Sequence, residues 1–150
     1  MSQPFRLMSY NPQWDQEYEQ ARSSILQATA GCICAIEHIG ATALPGAVAR
    51  PVIDLIAGLN EMQELSEACE LIEGLNYKRV ETPAWADEEL CALLLKPRSG
   101  EATHSVLLVR HEKPVWRLAL WVRDFLRSNR ETAEELSELK KNHFQIQKHQ

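Results

Sequence analysis

Residues 52–59 form a run that is apolar at every position except Asp54, and Pro51 stands directly before it. A run of this length falls far short of the ~20 residues that a membrane-spanning helix needs. It is typical of a central strand that is covered on both faces of a sheet. A carboxylate in such a strand is costly unless it is paired or binds an ion. The run therefore predicts a buried strand in which Asp54 needs a partner.

The spacing of apolar residues elsewhere predicts an α+β fold, a mixed β-sheet with helices packed against it. Gly and Pro separate the elements, and no linker or repeat divides the chain, so we expect one domain over residues 1–150. The predicted helices cover residues 13–29, 61–75, 114–126 and a last stretch from about residue 129, and the predicted strands cover residues 32–39, 52–59, 77–81, 90–96 and 103–110.

Composition excludes disordered, collagen-like and coiled-coil proteins. Hydrophobic residues make up 45% of the chain and charged residues 25%, which is ordinary for a globular domain. The formal net charge of −5 makes general nucleic-acid binding a poor expectation. The first residues do not form a signal peptide, and no cysteine pair has CxxC spacing, so we expect a cytoplasmic protein with free, buried thiols and no membrane segment.

The segment with the most chemical signal is residues 36–56, which read IEHIGATALPGAVARPVIDLI. It places His38 before a glycine turn and Asp54 after a Gly/Pro loop. If the two flanking strands are neighbours, His38 and Asp54 could converge near the loop. Arg50 is the other candidate partner. Two interpretations stay open: Asp54 is a functional carboxylate at the floor of a pocket bounded by residues 40–50, or it is a structural anchor for that loop.

This segment closely resembles the signature of the GrpB family, whose members typically read HIGSTAVPGLxAKPIIDI. Further on, VRDFLR at residues 122–127 resembles the FRDYLR of that family, and Asn76-Tyr77 resembles its Gly-Tyr pair. The family is similar in fold to the nucleotidyltransferase superfamily. There, a glycine turn precedes a strand that bears two metal-binding carboxylates. The resemblance places Gly40 in that turn and Asp54 at the first carboxylate.

The resemblance implies a site for a nucleotide or another phosphorylated small molecule. Gly40, Ala41 and Thr42 would cradle phosphate in the loop. Asp54 would be the catalytic carboxylate and would hold Mg²⁺ or Mn²⁺. Arg50, Arg123 and Arg127 would offset the charge of the phosphate. A histidine-rich strand of the family matches residues 103–107, which suggests His38, His104 and Asp54 as a metal site of two histidines and one carboxylate.

Two departures from the family pattern bear on catalysis. Ile56 stands where the superfamily has a second carboxylate, and Ala41 stands where the family usually has serine. Since two-metal phosphoryl transfer needs carboxylates to hold both cations, nucleotidyl transfer would run on an incomplete carboxylate set. The alternative is a non-catalytic binding or interaction domain.

The helix that contains VRDFLR is open to two interpretations. Arg123 and Arg127 lie one turn apart and could receive an anion, or shape the site. Alternatively, Asp124 and Arg127 pair on a solvated surface. In the same helix we expect Trp116 and Trp121 to lie in the core, because the helix is apolar nearly all round.

Overall fold

The computed structural model describes residues 7–82 and 90–148. Its helices and strands follow one another along the chain as α1 (Gln13–Thr29), β1 (Ile33–Ile39), β2 (Ile53–Leu59), α2 (Leu65–Glu73), β3 (Lys78–Val80), β4 (Leu90–Lys96), β5 (His104–Arg110), α3 (Pro114–Ser128) and α4 (Arg130–Lys148). Each predicted element is found within a few residues of its expected bounds, and α1 matches its prediction at both ends.

The strands form one five-stranded sheet in the order β1-β2-β5-β4-β3. β2 runs parallel to β5 and antiparallel to β1, and the remaining pairs are antiparallel. The predicted mixed sheet and α+β class are therefore confirmed. β2 lies inside the sheet between β1 and β5, as its apolar run predicts.

Strand alternation divides the core between the two faces of the sheet. On one face, Leu55 and Leu108 belong to a large cluster with Ile25 of α1 and Ile72 of α2. On the other face, Ile56 and Val109 pack with Trp116 of α3. The face that carries Ile56 is called the α3 face below, and Asp54 lies on it because it is two residues before Ile56.

The predicted burial of Trp121 is wrong. Trp116 is 3% exposed, but Trp121 is 61% exposed and stacks on Phe125, with ring centroids 5.2 Å apart. The reason is that α3 packs against the sheet along one side only. Leu118 and Phe125 are exposed with Trp121.

The cysteines are free, as predicted for a chain without a disulfide framework, but their burial differs. Cys32 and Cys69 are buried, whereas Cys34 is exposed. The register between β1 and β2 shifts between Ile33 and Ala35, so Cys34 sits at an irregularity in the strand. This irregularity, together with the position of Cys32 just before β1, explains why the two thiols differ in burial although they are two residues apart.

The loop between β1 and β2 is attached to the segment before α1 and to α4. It opens with a short 3-10 helix, Ala41–Ala43. Near its end, Ala49 exchanges backbone hydrogen bonds with Met8, at 2.8 and 3.0 Å. From α4, the hydroxyl of Ser137 accepts a hydrogen bond of 3.3 Å from the Val48 N–H. The loop is therefore held over the end of the sheet.

Within the described ranges, no helix has the length and apolar character needed to cross a membrane.

Candidate functional site

A cavity of about 460 Å³ lies beside the loop of residues 40–50, and Asp54 contributes to its wall. The sequence predicts a pocket at this place. Its lining residues come from the N-terminal segment, the loop, β2, β4 and β5, and they are Leu7, Ala41, Thr42, Arg50, Val52, Asp54, Leu95, Ala102 and Ser105. We call this space the Asp54 cavity. An arginine and a carboxylate face it from opposite ends of the Arg50–Asp54 stretch.

Asp54 is held in place from two neighbouring strands. On β5, its register partner Ser105 donates a hydrogen bond of 2.5 Å from Oγ to Oδ1 of Asp54. On β1, its register partner is Ile39, and Gly40 follows directly. A Cβ built on Gly40 would lie 2.5 Å from Oδ2 of Asp54. The carboxylate therefore occupies space that any side chain at position 40 would need, which explains the glycine there.

His38 lies on the opposite face of the sheet from Asp54. Its register partner is Leu55, whose side chain belongs to the core beneath α1. The His38 ring is 4% exposed and stacks on Tyr18, with ring centroids 4.7 Å apart and planes 7° apart. Burial raises the pKa of Tyr18 to about 12, so its hydroxyl stays protonated and donates to the backbone oxygen of Ile36 at 3.0 Å.

The hydrogen bonds of His38 determine which ring nitrogen carries the proton. Thr42 Oγ1 donates its one hydrogen to the backbone oxygen of Val52 at 3.1 Å. The bond of 3.0 Å between His38 Nε2 and the same hydroxyl therefore has Nε2–H as its donor. Burial lowers the pKa of His38 to about 4, and Arg127 and Arg123 add to this shift while Asp15 opposes it. Neutral His38 thus links β1 to the loop and, through Thr42, to the start of β2.

The three predicted metal ligands do not come together. His104 points to the same face as His38, since its neighbour Ser105 faces Asp54, and its Nδ1 lies 2.8 Å from Thr103 Oγ1. Burial, followed by the charge of Lys96, lowers the pKa of His104. Across residues 7–82 and 90–148, no three His, Cys, Asp or Glu side chains are grouped to hold a metal ion. Strand alternation, which separates Asp54 from both histidines, is the physical reason.

Arg123 contacts the end of β1 and Arg127 contacts the loop, but neither lines the Asp54 cavity. Arg123 donates to the backbone oxygen of His38 at 3.3 Å, and Arg127 Nε donates to that of Ala43 at 3.1 Å. Arg123 is 10% exposed and also pairs with Glu37 at 3.5 Å. The predicted Asp124–Arg127 pair is replaced by an Asp124–Arg123 pair at 2.9 Å. Through these contacts, the two arginines join α3 to β1 and to the loop.

The remaining predicted residues line cavities beside Asp54. Ala41, Thr42 and Arg50 line the Asp54 cavity, and Gly40 lines an adjoining groove. Thr42 is buried, and its hydroxyl is already used by His38 and Val52. Of the loop side chains that line the Asp54 cavity, Arg50 is therefore the one that could make a polar contact with a ligand.

The sequence did not identify Ser105, which contacts Asp54 directly. Its signal is faint: one small polar residue in an apolar strand, whose importance depends on the pairing of β5 with β2. Ile56, at the position of the missing second carboxylate, is buried against Trp116. Glu88 and Glu89, which could have supplied a second carboxylate, lie outside the described residues.

A crystal structure described as conserved protein GrpB from Enterococcus faecalis has a similar fold. Its TM-score against this chain is 0.84 at 24% identity, over 94% of this chain and 84% of that one. At this level of identity, the likeness shows the fold alone.

Two curated proteins show the extent of the sequence similarity. YqkA of Bacillus subtilis (strain 168) is 25% identical over 135 residues, which are 90% of this chain and 38% of that protein. Glutamate-rich protein GrpB of Alkalihalophilus pseudofirmus is 22% identical over 137 residues, which are 91% of this chain and 79% of that protein. This chain therefore spans well under half of the first relative and about four fifths of the second.

The GrpB protein family model matches residues 4–150, nearly the whole length of the chain. The match includes the glycine turn, the Asp54 strand and the α3 arginines. This chain belongs to the GrpB family.

Proposed function

We propose that the Asp54 cavity binds a nucleotide or another phosphorylated small molecule, with Mg²⁺ or Mn²⁺ carried in by its phosphates. The observation that supports this most is the lining of one cavity by Arg50 and Asp54. Arg50 supplies a cation for phosphate, and Asp54 supplies a carboxylate for a phosphate-bound metal ion. The volume of about 460 Å³ lies in the range of small-molecule sites.

One carboxylate suits a metal ion that belongs to the ligand. Mg²⁺ is commonly held by one or two carboxylates plus phosphate oxygens and waters, so it does not need a cage of protein ligands. Asp54 would supply that carboxylate, and the hydrogen bond from Ser105 to its Oδ1 would help to orient it. The metal ion would offset phosphate charge, and Asp54 would orient it.

Binding without nucleotidyl transfer is the form of this proposal that the described residues favour. Ile56 occupies the place of a second metal ligand and is buried beneath α3. Among the described residues, no three His, Cys, Asp or Glu side chains are grouped to hold a metal ion. A two-metal mechanism would need a second carboxylate, because isoleucine cannot hold a cation.

The test is a thermal-shift series with pyrophosphate and the common nucleoside triphosphates, each with and without Mg²⁺ or Mn²⁺. Asp54→Asn keeps the shape and removes the charge. We expect its melting temperature to be unchanged or higher, and the metal-dependent part of the ligand shift to vanish. Glu67→Gln, an exposed carboxylate on α2, is the matched control and should behave as wild type. Arg50→Met should weaken binding with or without metal.

The competing interpretation predicts the opposite pattern. If Asp54 only anchors the loop, Asp54→Asn removes a charge that a buried partner needs. The free energy of unfolding should then fall by about 3 kcal/mol, and the melting temperature by several degrees. That result, with no ligand shift in the wild-type protein, would overturn the proposed function.

A further inference from the structure

A second cavity of about 420 Å³ lies between the α3 face of the sheet and helices α3 and α4. Ile39 and Leu107 line it from the sheet, Ala119 and Val122 from α3, and Leu136 from α4. We call this space the α3–α4 groove. Val122 and Leu136 are 42% and 39% exposed, so the groove opens to solvent along an apolar mouth.

The two polar side chains that line the groove are already engaged within the protein. Arg123 pairs with Glu37 and Asp124 and donates to the backbone oxygen of His38. The hydroxyl of Ser137 accepts the Val48 N–H. What the groove offers an occupant is therefore apolar surface. A nucleobase would bring polar edges that need partners, whereas a hydrocarbon chain would not.

The groove and the Asp54 cavity are neighbours on one face of the sheet. Asp54, in the cavity, is the direct cross-strand partner of Ile39, in the groove. Ser105 and Leu107 are two residues apart on β5, so they share a face and lie about 7 Å apart. Ala41 lines both spaces. A ligand bound at Asp54 therefore has apolar surface within a few ångströms.

Resting on the proposed function, we infer that the ligand is amphipathic: a phosphate ester that places its phosphate in the Asp54 cavity and an alkyl or isoprenyl chain in the α3–α4 groove. Continuity with the Asp54 cavity favours this occupant over a protein segment. The size of the groove, which lies in the range of small-molecule pockets, favours it as well. The chain would cover the apolar mouth and release water from it.

The test compares n-butyl phosphate, n-octyl phosphate, n-octanol and inorganic phosphate, below any micellar concentration and with Mg²⁺, by isothermal calorimetry. The octyl ester should bind more tightly than the butyl ester, by up to about fourfold for each extra methylene that is fully buried. Octanol should bind far more weakly than octyl phosphate, because it lacks the phosphate. Arg50 would contact that phosphate directly, and Asp54 would contact it through the bound metal ion.

Variants on one helix separate the groove from general surface effects. Val122→Glu puts a charge at the mouth of the groove and should remove the dependence on chain length while leaving inorganic phosphate bound. Trp121→Glu changes an adjacent exposed apolar residue that does not line the groove, and should leave all affinities unchanged. If Val122→Glu fails to fold, Leu118→Glu serves instead, since Leu118 also lines the groove and is 62% exposed.

The possible failures are distinguishable. Equal affinity for butyl and octyl phosphate would overturn the amphipathic ligand and leave the proposed function standing. Equal affinity for octanol and octyl phosphate would show a groove that is independent of the cavity, and would also overturn the inference. If no phosphate probe binds here but pyrophosphate or a nucleotide binds in the thermal-shift series, the inference is overturned and the proposed function stands. If none of these compounds binds, both are overturned.

Discussion

The backbone of Gly40 lies directly against the side chain of Asp54. A Cβ on Gly40 would lie 2.5 Å from Oδ2 and 3.2 Å from both Cβ and Cγ of Asp54. Gly40 also has φ +76°, in the region that side-chain-bearing residues rarely adopt. The turn and the carboxylate are therefore one structural unit. The glycine leaves the carboxylate room to face the cavity.

Gly40→Ala should lower the free energy of unfolding by about 2–4 kcal/mol, because it adds both backbone strain and a clash with Asp54. Gly100→Ala is the matched control. Its φ is +92°, but nothing lies within 4 Å of its Cβ position, so it should cost about 1 kcal/mol from strain alone. Urea unfolding measures both.

The clash has its own signature. In a Gly40→Ala background, adding Asp54→Ala should recover part of the lost stability, which gives a favourable coupling free energy in the double-mutant cycle. If the two substitutions are simply additive, the close contact between positions 40 and 54 is not what makes the glycine necessary.

The stability of the protein should decrease at acidic pH because His38 is buried in its neutral form. Burial lowers its folded pKa to about 4 from an ordinary value of 6.5, so the unfolded chain binds the proton more readily between these values. Stability should be full above about pH 6.5 and fall as the pH drops toward 4, by about 2 kcal/mol at pH 5. The lowered pKa of His104 acts in the same direction. Urea unfolding at pH 7.5 and pH 5.0 gives the difference.

His38→Gln keeps an N–H that can reach Thr42 but does not titrate. It should be less stable at pH 7.5, since it loses the stack on Tyr18, and its further loss between pH 7.5 and 5.0 should be clearly smaller than that of the wild-type protein. An identical loss in both proteins would mean that other groups cause the acid sensitivity.

Arg123 should matter for stability because it joins α3 to the end of β1. Arg123→Met leaves the carbonyl of His38 and the carboxylate of Glu37 without their guanidinium partner, and should cost about 1–3 kcal/mol. Arg117→Met on the same helix removes an exposed guanidinium that lies 3.8 Å from Glu112, and should cost under about 0.5 kcal/mol. If chemical denaturation shows that both variants lose the same free energy of unfolding, Arg123 does not stabilise the contact between α3 and β1.

The two tryptophans of α3 should respond very differently to truncation. Trp116→Ala removes a buried side chain that packs on Ile56 and Val109, and should cost about 3–5 kcal/mol. Trp121→Ala removes an exposed ring that stacks on Phe125, and should cost under about 1 kcal/mol. Thermal melts of the two variants, compared at equal protein concentration, decide between these expectations and a buried Trp121.

Local periodicity accounts for what the sequence predicted well. The bounds of α1 and β4, the position of the loop, and the interior place of β2 all follow from the spacing of apolar residues and from Gly and Pro. Periodicity was less informative for α3, because an apolar composition on several sides does not say which side meets the sheet. Trp121 was misplaced for that reason.

The sequence by itself determined the elements, the apolar strand with its single carboxylate, and the glycine turn beside it. The tertiary structure decided which residues meet. Parallel pairing of β2 with β5 brings Ser105 to Asp54 from 51 residues away, and docking of α3 brings Arg123 to His38 from 85 residues away. Alternation along β1 and β2 places His38 and Asp54 on opposite faces of the sheet, so the predicted metal ligands do not come together. The physical reason is range: turn chemistry and side-chain periodicity act over a few residues, whereas strand pairing and helix docking depend on how the whole core packs.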